Sequence, residues 1–197
     1  MLIVRRATLH DLPGIYRVCL LTGDAGQDAS TLFRNPDLLG HVYVGPYVVG
    51  QADLALVAAD PGGVAGYCLA ARDTGDFEAW AEASWWPRLR DQYPVPDDAS
   101  PDAEIIRLIH APPRAPQAVV AEYPAHLHID LLARARGRGL GRELVERQLA
   151  NLRGQGARGV HLDVATGNAN AIAFYRHLGF AEVDRSESSI LMGIRLA

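Results

Sequence analysis

Cysteine is scarce in this chain. Cys19 and Cys68 are the two it has, and neither sits in a C-x-x-C or other ligand spacing. Such a pair builds no disulfide framework and no zinc site, so no metal is expected and a reducing cytoplasm is the expected location. A basic excess is absent too. The formal net charge is −4, which argues against a nucleic-acid-binding surface. No apolar run is long enough to span a bilayer, and Met1 to Arg6 has no signal-peptide core, so no membrane partner is expected. Internal repeats are lacking. What remains is an ordinary globular composition, 49% hydrophobic and 21% charged over 197 residues. That is enough for one domain, 1–197, with a full core.

The most informative stretch runs from Ala125 to Gly156. His126 to Leu132 reads as a strand. A basic, glycine-rich turn follows, Arg136-Gly137-Arg138-Gly139-Leu140-Gly141. A helix then starts near Gly139 or Leu140 and ends near Arg153, with Leu140, Leu144, Val145, Leu149 and Leu152 at helical spacing. Strand, glycine turn and helix N-terminus together form an anion site. Backbone N–H groups point out of the turn, the helix dipole adds partial positive charge, and Arg136, Arg138 and Arg142 add formal charge. No G-K-[ST] follows these glycines, which excludes a P-loop. The spacing Gly137, Gly139, Gly141 also differs from the dinucleotide fingerprint.

The pattern R-x-x-G-x-G, Arg136 to Gly141, resembles the coenzyme A pyrophosphate loop of the GNAT acetyltransferase superfamily. A second motif lies roughly 30 residues downstream. Asn168 to Phe180, N-A-N-A-I-A-F-Y-R-H-L-G-F, is similar to that superfamily's N-x-x-A-x-x-x-Y-x-x-x-G-F signature. Physically it is an Asn cap, a short helix, a glycine C-cap and an aromatic entering the next strand. A wider series covers nearly the whole chain: T-G-D-A-G, G-P-Y, F-E-A-W, W-W-P-R-L-R-D-Q-Y-P and E-Y-P-A-H-L-H-I-D-L-L. It resembles bacterial relatives of the C-terminal acetyltransferase-like domain of eukaryotic O-GlcNAcase, a domain regarded as a pseudo-acetyltransferase. The intact R-x-x-G-x-G loop departs from that domain.

The resemblance implies an α/β (α+β) fold. Its central mixed sheet, mostly antiparallel, is flanked by helices and splayed between the fourth and fifth strands. It also implies acetyl-CoA as co-substrate. The backbone of Ile129, Leu131 and Leu132 would pair with the pantetheine. Arg136, Gly137, Arg138, Gly139, Leu140, Gly141 and Arg142 would hold the phosphates, and Asn168, Ala171, Phe174 and Tyr175 would complete the coenzyme site. Tyr175 matches the position whose hydroxyl reaches the sulfur, so it is the expected general acid; a core tyrosine with a satisfied hydroxyl is the alternative.

His126, His128 and Asp130 alternate along one strand and share a face. A buried carboxylate needs a partner, so Asp130 is the oddest placement. It ranks first as base or acceptor anchor, ahead of His128 and His126, and a purely structural aspartate stands beside that reading.

Elsewhere, Leu2 to Arg6 reads as a first strand and Thr8 as the cap of a first helix. Gly23 to Ala29 reads as a loop, where Asp24 and Asp28 are acceptor candidates or simple turn residues. Tyr43 to Tyr47 reads as a loop that could bring Tyr47 to the same cleft. Asp53 to Ala59 and Val64 to Arg72 read as paired strands, with Gly66 at a bulge or close approach. Thr74 to Pro116 is a helical insertion holding all three tryptophans. Trp85 or Trp86 would wall the acceptor cavity, unless the insertion only packs on the sheet. The expected acceptor is a small molecule, and a homodimer is left open. Two other activities also stay open: a coenzyme-binding module that no longer transfers acetyl, and a protein or histone acetyltransferase.

Overall fold

The computed structural model describes residues 1–196. Seven strands form one sheet: β1 (Ile3–Arg6), β2 (Ala55–Asp60), β3 (Gly63–Ala71), β4 (Ala125–Leu131), β5 (Gly159–Ala165), β6 (Ala181–Arg185) and β7 (Ser189–Arg195). Their order is β1-β2-β3-β4-β5-β7-β6, antiparallel throughout except for the parallel pair β4–β5. That pair is short. Its rungs are Ala125↔Val160 and His126↔His161, and beyond them the two strands part. The expected splay is therefore present, and it begins at His126.

Helices cover both faces. One carries α1 (Leu12–Leu20), α2 (Leu38–Tyr43), α3 (Gly45–Gly50), α4 (Thr74–Trp80), α5 (Trp86–Gln92) and α6 (Pro101–His110). Their apolar side chains, among them Ile15, Leu38, Tyr47, Phe77, Trp86 and Ile109, share one core with Val57, Tyr67 and Leu69 of the sheet. The other face carries α8 (Leu140–Gly154) and α9 (Ala169–His177), whose Leu144, Val145, Leu152 and Tyr175 pack with Leu56, Cys68, Leu127 and Met192. A short α7 (Gln117–Glu122) leads into β4. Side chains alternate along β4, so Leu127 faces α8 while His126, His128 and Asp130 face the α1–α6 layer.

Most elements fall where the spacing predicts them, and the exceptions have physical causes. The segment expected as a loop at Tyr43 to Tyr47 is helical, the end of α2 running into α3. Pro46 is no obstacle, because a first-turn proline has no intrahelical N–H to lose. The glycines there are demanded by packing. A Cβ on Gly40 would fall 2.3 Å from the Tyr16 ring, and one on Gly45 would fall 2.5 Å from the Trp85 ring. Between α4 and α5 the chain makes a wide π turn, Ala81–Trp85, and Pro87 sits in the first turn of α5. Gly66 does mark a bulge: the β2–β3 register shifts between Ala58 and Ala59. A Cβ at Gly66 would lie 2.2 Å from Leu131 Cδ2, so β4 also approaches closely there.

Candidate active site

The glycine-turn end of the site is built from local signals. Gly137 and Gly139 both adopt positive φ, 71° and 77°, a region that strains any residue with a Cβ. Gly139 is the N-cap of α8, so its left-handed turn aims the first N–H groups of a 15-residue helix outward. Around these glycines there is open space: a Cβ at either would meet nothing within 4 Å. Arg138 stands exposed with no ion-pair partner among the described residues, and Arg142 makes only a loose 3.5 Å pair with Glu146. Arg136 is engaged. Its Nε donates to the Leu131 carbonyl and its Nη2 to the Gly26 carbonyl, both at 2.9 Å. The Gly23–Ala29 loop is thereby tied to this end of the cleft. Asp24 closes a tight turn with Gln27, and the exposed Asp28 carboxylate accepts the Ser30 N–H at 2.8 Å.

Asn168 caps α9 as its position predicts, its Oδ1 accepting the Ala171 N–H at 3.1 Å. Gly179, at φ 93°, ends that helix, and the Phe180 N–H returns to the Tyr175 carbonyl. Tyr175 is buried against Phe174 and Phe180. No side chain or backbone group among the described residues hydrogen-bonds its hydroxyl, yet that oxygen is not sealed from solvent. Burial raises the phenol pKa, with Asp130 and Cys68 adding to the effect, so the hydroxyl keeps its proton at neutral pH. Ala171 and Phe174 pack beside it, with Ile129 and Leu131 of β4 in the same core. Leu132 packs on the opposite face, and its N–H donates to the Ala65 carbonyl.

The three polar residues of β4 each have a defined partner. Asp130 lies across the β3–β4 ladder from Tyr67, whose hydroxyl donates to Oδ2 at 2.5 Å. Burial pushes the Asp130 carboxyl up to about 6, although the hydrogen bond from Tyr67 and the nearby Thr22 hydroxyl and Arg136 pull it down. The two histidines converge on one phenol: Tyr47 Oη lies 2.7 Å from His126 Nε2 and 2.9 Å from His128 Nε2. On its other side, His126 Nδ1 meets the Thr74 hydroxyl at 2.8 Å. Burial holds the His126 pKa well below its ordinary value, and His128 is pushed down to about 4 by burial and by His161. Both are neutral at pH 7.

Tyr47 and the two histidines floor a cavity of about 290 Å³, which Asp130 does not line. Tyr47, Thr74, His126 and His128 line it at the sheet, and His161 and Asp163 line it across the splay. The insertion supplies the far wall, through Phe77, Glu78, Trp86 and Pro112 to Pro116. Of the two tryptophans singled out from sequence, Trp86 belongs to this wall. Trp85 turns away, its Nε1 donating to the His41 carbonyl at 2.9 Å, and lines a larger groove of about 1060 Å³ between α1, α2 and α5. That groove touches no β4 residue and holds none of the groups just described. Tyr67, Thr74, Glu78 and His161 join the site without a sequence signal, because only strand register and helix placement bring them there.

Comparison with known proteins places this geometry in a family. The sequence model of the acetyltransferase (GNAT) family matches residues 43–180. The crystal structure of SsHAT is 38% identical, with a TM-score of 0.93, covering 100% of this chain and 98% of that one. The structure of yncA, a putative acetyltransferase from Salmonella typhimurium solved with its cofactor acetyl-CoA, shares the fold at TM-score 0.60 and 16% identity, covering 100% and 94% of the two chains. Among curated proteins, O-GlcNAcase of Rattus norvegicus is 26% identical over 182 residues, 90% of this chain. The chain spans about a fifth (20%) of the length of that relative.

Proposed function

The chain belongs to the acetyltransferase (GNAT) family, and from that premise we propose that it moves an acetyl group from acetyl-CoA to the amine of a small molecule by direct transfer. One observation carries the reading. Where β4 and β5 part after His126, the unpaired strand edge has the α8 anion site at one end and the 290 Å³ histidine-lined cavity at the other. The coenzyme phosphates would sit on the N–H groups around Gly139 and Gly141, with Arg138 and the loosely paired Arg142 adding charge. The pantetheine amides would complete the open edge of β4 as a further strand would. That path leads the thioester to Tyr175 and Asp130.

The chain's own groups then divide the work. Tyr175 keeps its proton and has no hydrogen-bond partner among the described residues, which suits a donor to the leaving sulfur. The β4 face of Asp130, His128 and His126 supplies groups to take the proton of the amine. The cavity volume is at the small end of ligand pockets, with an apolar wall and a few polar anchors, which suits a small acceptor over a peptide. The exposed Asp24 and Asp28, on the loop tied to Arg136, would meet the coenzyme end first.

The test is calorimetry with acetyl-CoA, followed by thiol release across a panel of small primary amines and histone-tail peptides. We expect saturable acetyl-CoA binding and turnover with small amines. Binding with no acceptor-dependent release would make the chain a coenzyme-binding module, and efficient use of histone-tail peptides would overturn the small-molecule acceptor.

A further inference from the structure

The short contacts around Tyr47 form a chain with a direction. It runs from the Pro124 carbonyl to the Thr74 hydroxyl (2.8 Å), to His126 Nδ1 (2.8 Å), from His126 Nε2 to Tyr47 Oη (2.7 Å), and on to His128 Nε2 (2.9 Å). A carbonyl only accepts. The single Thr74 hydroxyl proton therefore goes to Pro124, and Thr74 Oγ1 must accept from His126 Nδ1–H. A neutral His126 with its proton on Nδ1 presents a lone pair at Nε2, so the Tyr47 hydroxyl donates there. Tyr47 Oη then accepts from His128, which must carry its proton on Nε2. Run the other way, the chain would leave the Thr74 and Pro124 oxygens 2.8 Å apart with no proton between them. Only the first direction satisfies every contact.

We propose that this relay fixes His126 and His128 in opposite tautomers, and that Tyr47 thereby makes Nδ1 of His128 the lone pair that takes the proton of the acceptor amine. The proposal rests on the acetyl-transfer reading for its chemistry but not for its tautomers. His128 Nδ1 has no hydrogen-bond partner among the described residues and is not sealed off. It stands beside the cavity, two residues past the last β4–β5 rung, where the strands have parted. Of its rivals, His126 uses both ring nitrogens inside the relay, and Asp130 gives Oδ2 to Tyr67 and lies outside the lining of the cavity. His161 carries its proton on Nδ1, bonded to the Tyr123 carbonyl at 2.7 Å, but it sits at the closed end of the splay.

The step balances. A neutral amine attacks the thioester carbon, and the carbonyl π pair moves to oxygen. The nitrogen becomes cationic and far more acidic than a free ammonium, and its proton passes to His128 Nδ1. A weakly basic imidazole, held neutral by burial, is adequate for that late proton. The oxyanion re-forms the carbonyl, the C–S pair leaves on sulfur, and sulfur takes the proton of Tyr175. Loss of the imidazolium proton to solvent and reprotonation of the phenolate restore the resting state. Tyr47 touches no reacting atom and is a positioning residue.

The relay is tested on the whole protein labelled with ¹⁵N-histidine, by two-bond ¹⁵N–¹H correlation at neutral pH. We expect His126 as the Nδ1–H tautomer and His128 as the Nε2–H tautomer. The reverse pattern, identical tautomers or a cationic His128 would overturn the proposal. Tyr47→Phe keeps the ring that stacks on Phe77 at a centroid distance of 4.4 Å and removes only the hydroxyl. In that variant the His128 tautomers should mix, and kcat toward the small amines should fall roughly 10–100-fold, part of the usual general-base contribution, with KM for acetyl-CoA unchanged. Full kcat in Tyr47→Phe would refute the role. Failure of the wild-type protein to bind acetyl-CoA would sink the acetyl-transfer reading and the base role with it, leaving the tautomers to the spectrum.

Discussion

Asp130→Asn separates the charge of this side chain from its shape. An asparagine oxygen can accept the same hydrogen bond that Tyr67 now gives Oδ2 at 2.5 Å. What changes is the ionisation. Burial raises the folded carboxyl from 3.8 to about 6, so the folded chain holds this proton more tightly than the unfolded chain does. Below pH 3.8 both states are protonated and the effect vanishes. Between 3.8 and 6 the folded state alone keeps the proton, and stability falls as pH rises; above 6 the full cost stands. Two pKa units at about 1.4 kcal/mol each give about 3 kcal/mol. The side chain is partly wetted from the cleft, so about 2 kcal/mol is the expected gain for asparagine at pH 8, falling to about zero near pH 4. For a chain of this length that is a rise in melting temperature of about 4–8 °C. Denaturation series on both proteins across this range, compared by difference, provide the assay. The difference matters because His128, lowered to about 4, titrates in the same window with opposite sign. Its depressed folded pKa makes stability rise with pH, and because burial and His161, not Asp130, cause that depression, the term is common to the two proteins. A gain that does not change with pH, or no gain at pH 8, would refute the reasoning.

Three further outcomes are expected. Gly139→Val places a β-branched residue at φ 77°, which should cost about 1–2 kcal/mol of stability and weaken acetyl-CoA binding at least about tenfold by calorimetry; unchanged affinity in a folded variant would remove the loop from the coenzyme site. Tyr175→Phe should lower turnover by about 10–1,000-fold with little change in acetyl-CoA affinity, and full turnover would refute the acid role. Gly66→Ala drives a methyl to 2.2 Å from Leu131 Cδ2 and 2.9 Å from the Asp130 carbonyl. It should destabilise the chain by about 1–3 kcal/mol in denaturant titration, and a neutral result would mean that β3 and β4 part easily at this point.

The features legible in the chain alone are those whose cause is local. The apolar spacing from Leu140 to Leu152 defines α8, because a helix must place those residues on one buried face. Gly139 and Gly179 mark its start and the end of α9, because both positions need positive φ. Asn168 announces a cap because its side chain bonds a backbone three residues on. These fix the half of the site proposed for the coenzyme. The half proposed for the acceptor depends on distance along the chain. Tyr47 meets His126 and His128 across separations of 79 and 81 residues, and Tyr67 meets Asp130 across 63. Nothing at Tyr43 to Gly50 reveals a helix, since Gly45 and Pro46 read as breakers until the rings of Tyr16 and Trp85 are there to require their small or fixed shapes. Strand register, too, is an agreement between two segments, and neither carries it alone. The tertiary structure alone decided how the two β4 histidines hold their protons, because a tautomer is set by its partners, and the partners Tyr47 and Thr74 come from α3 and α4.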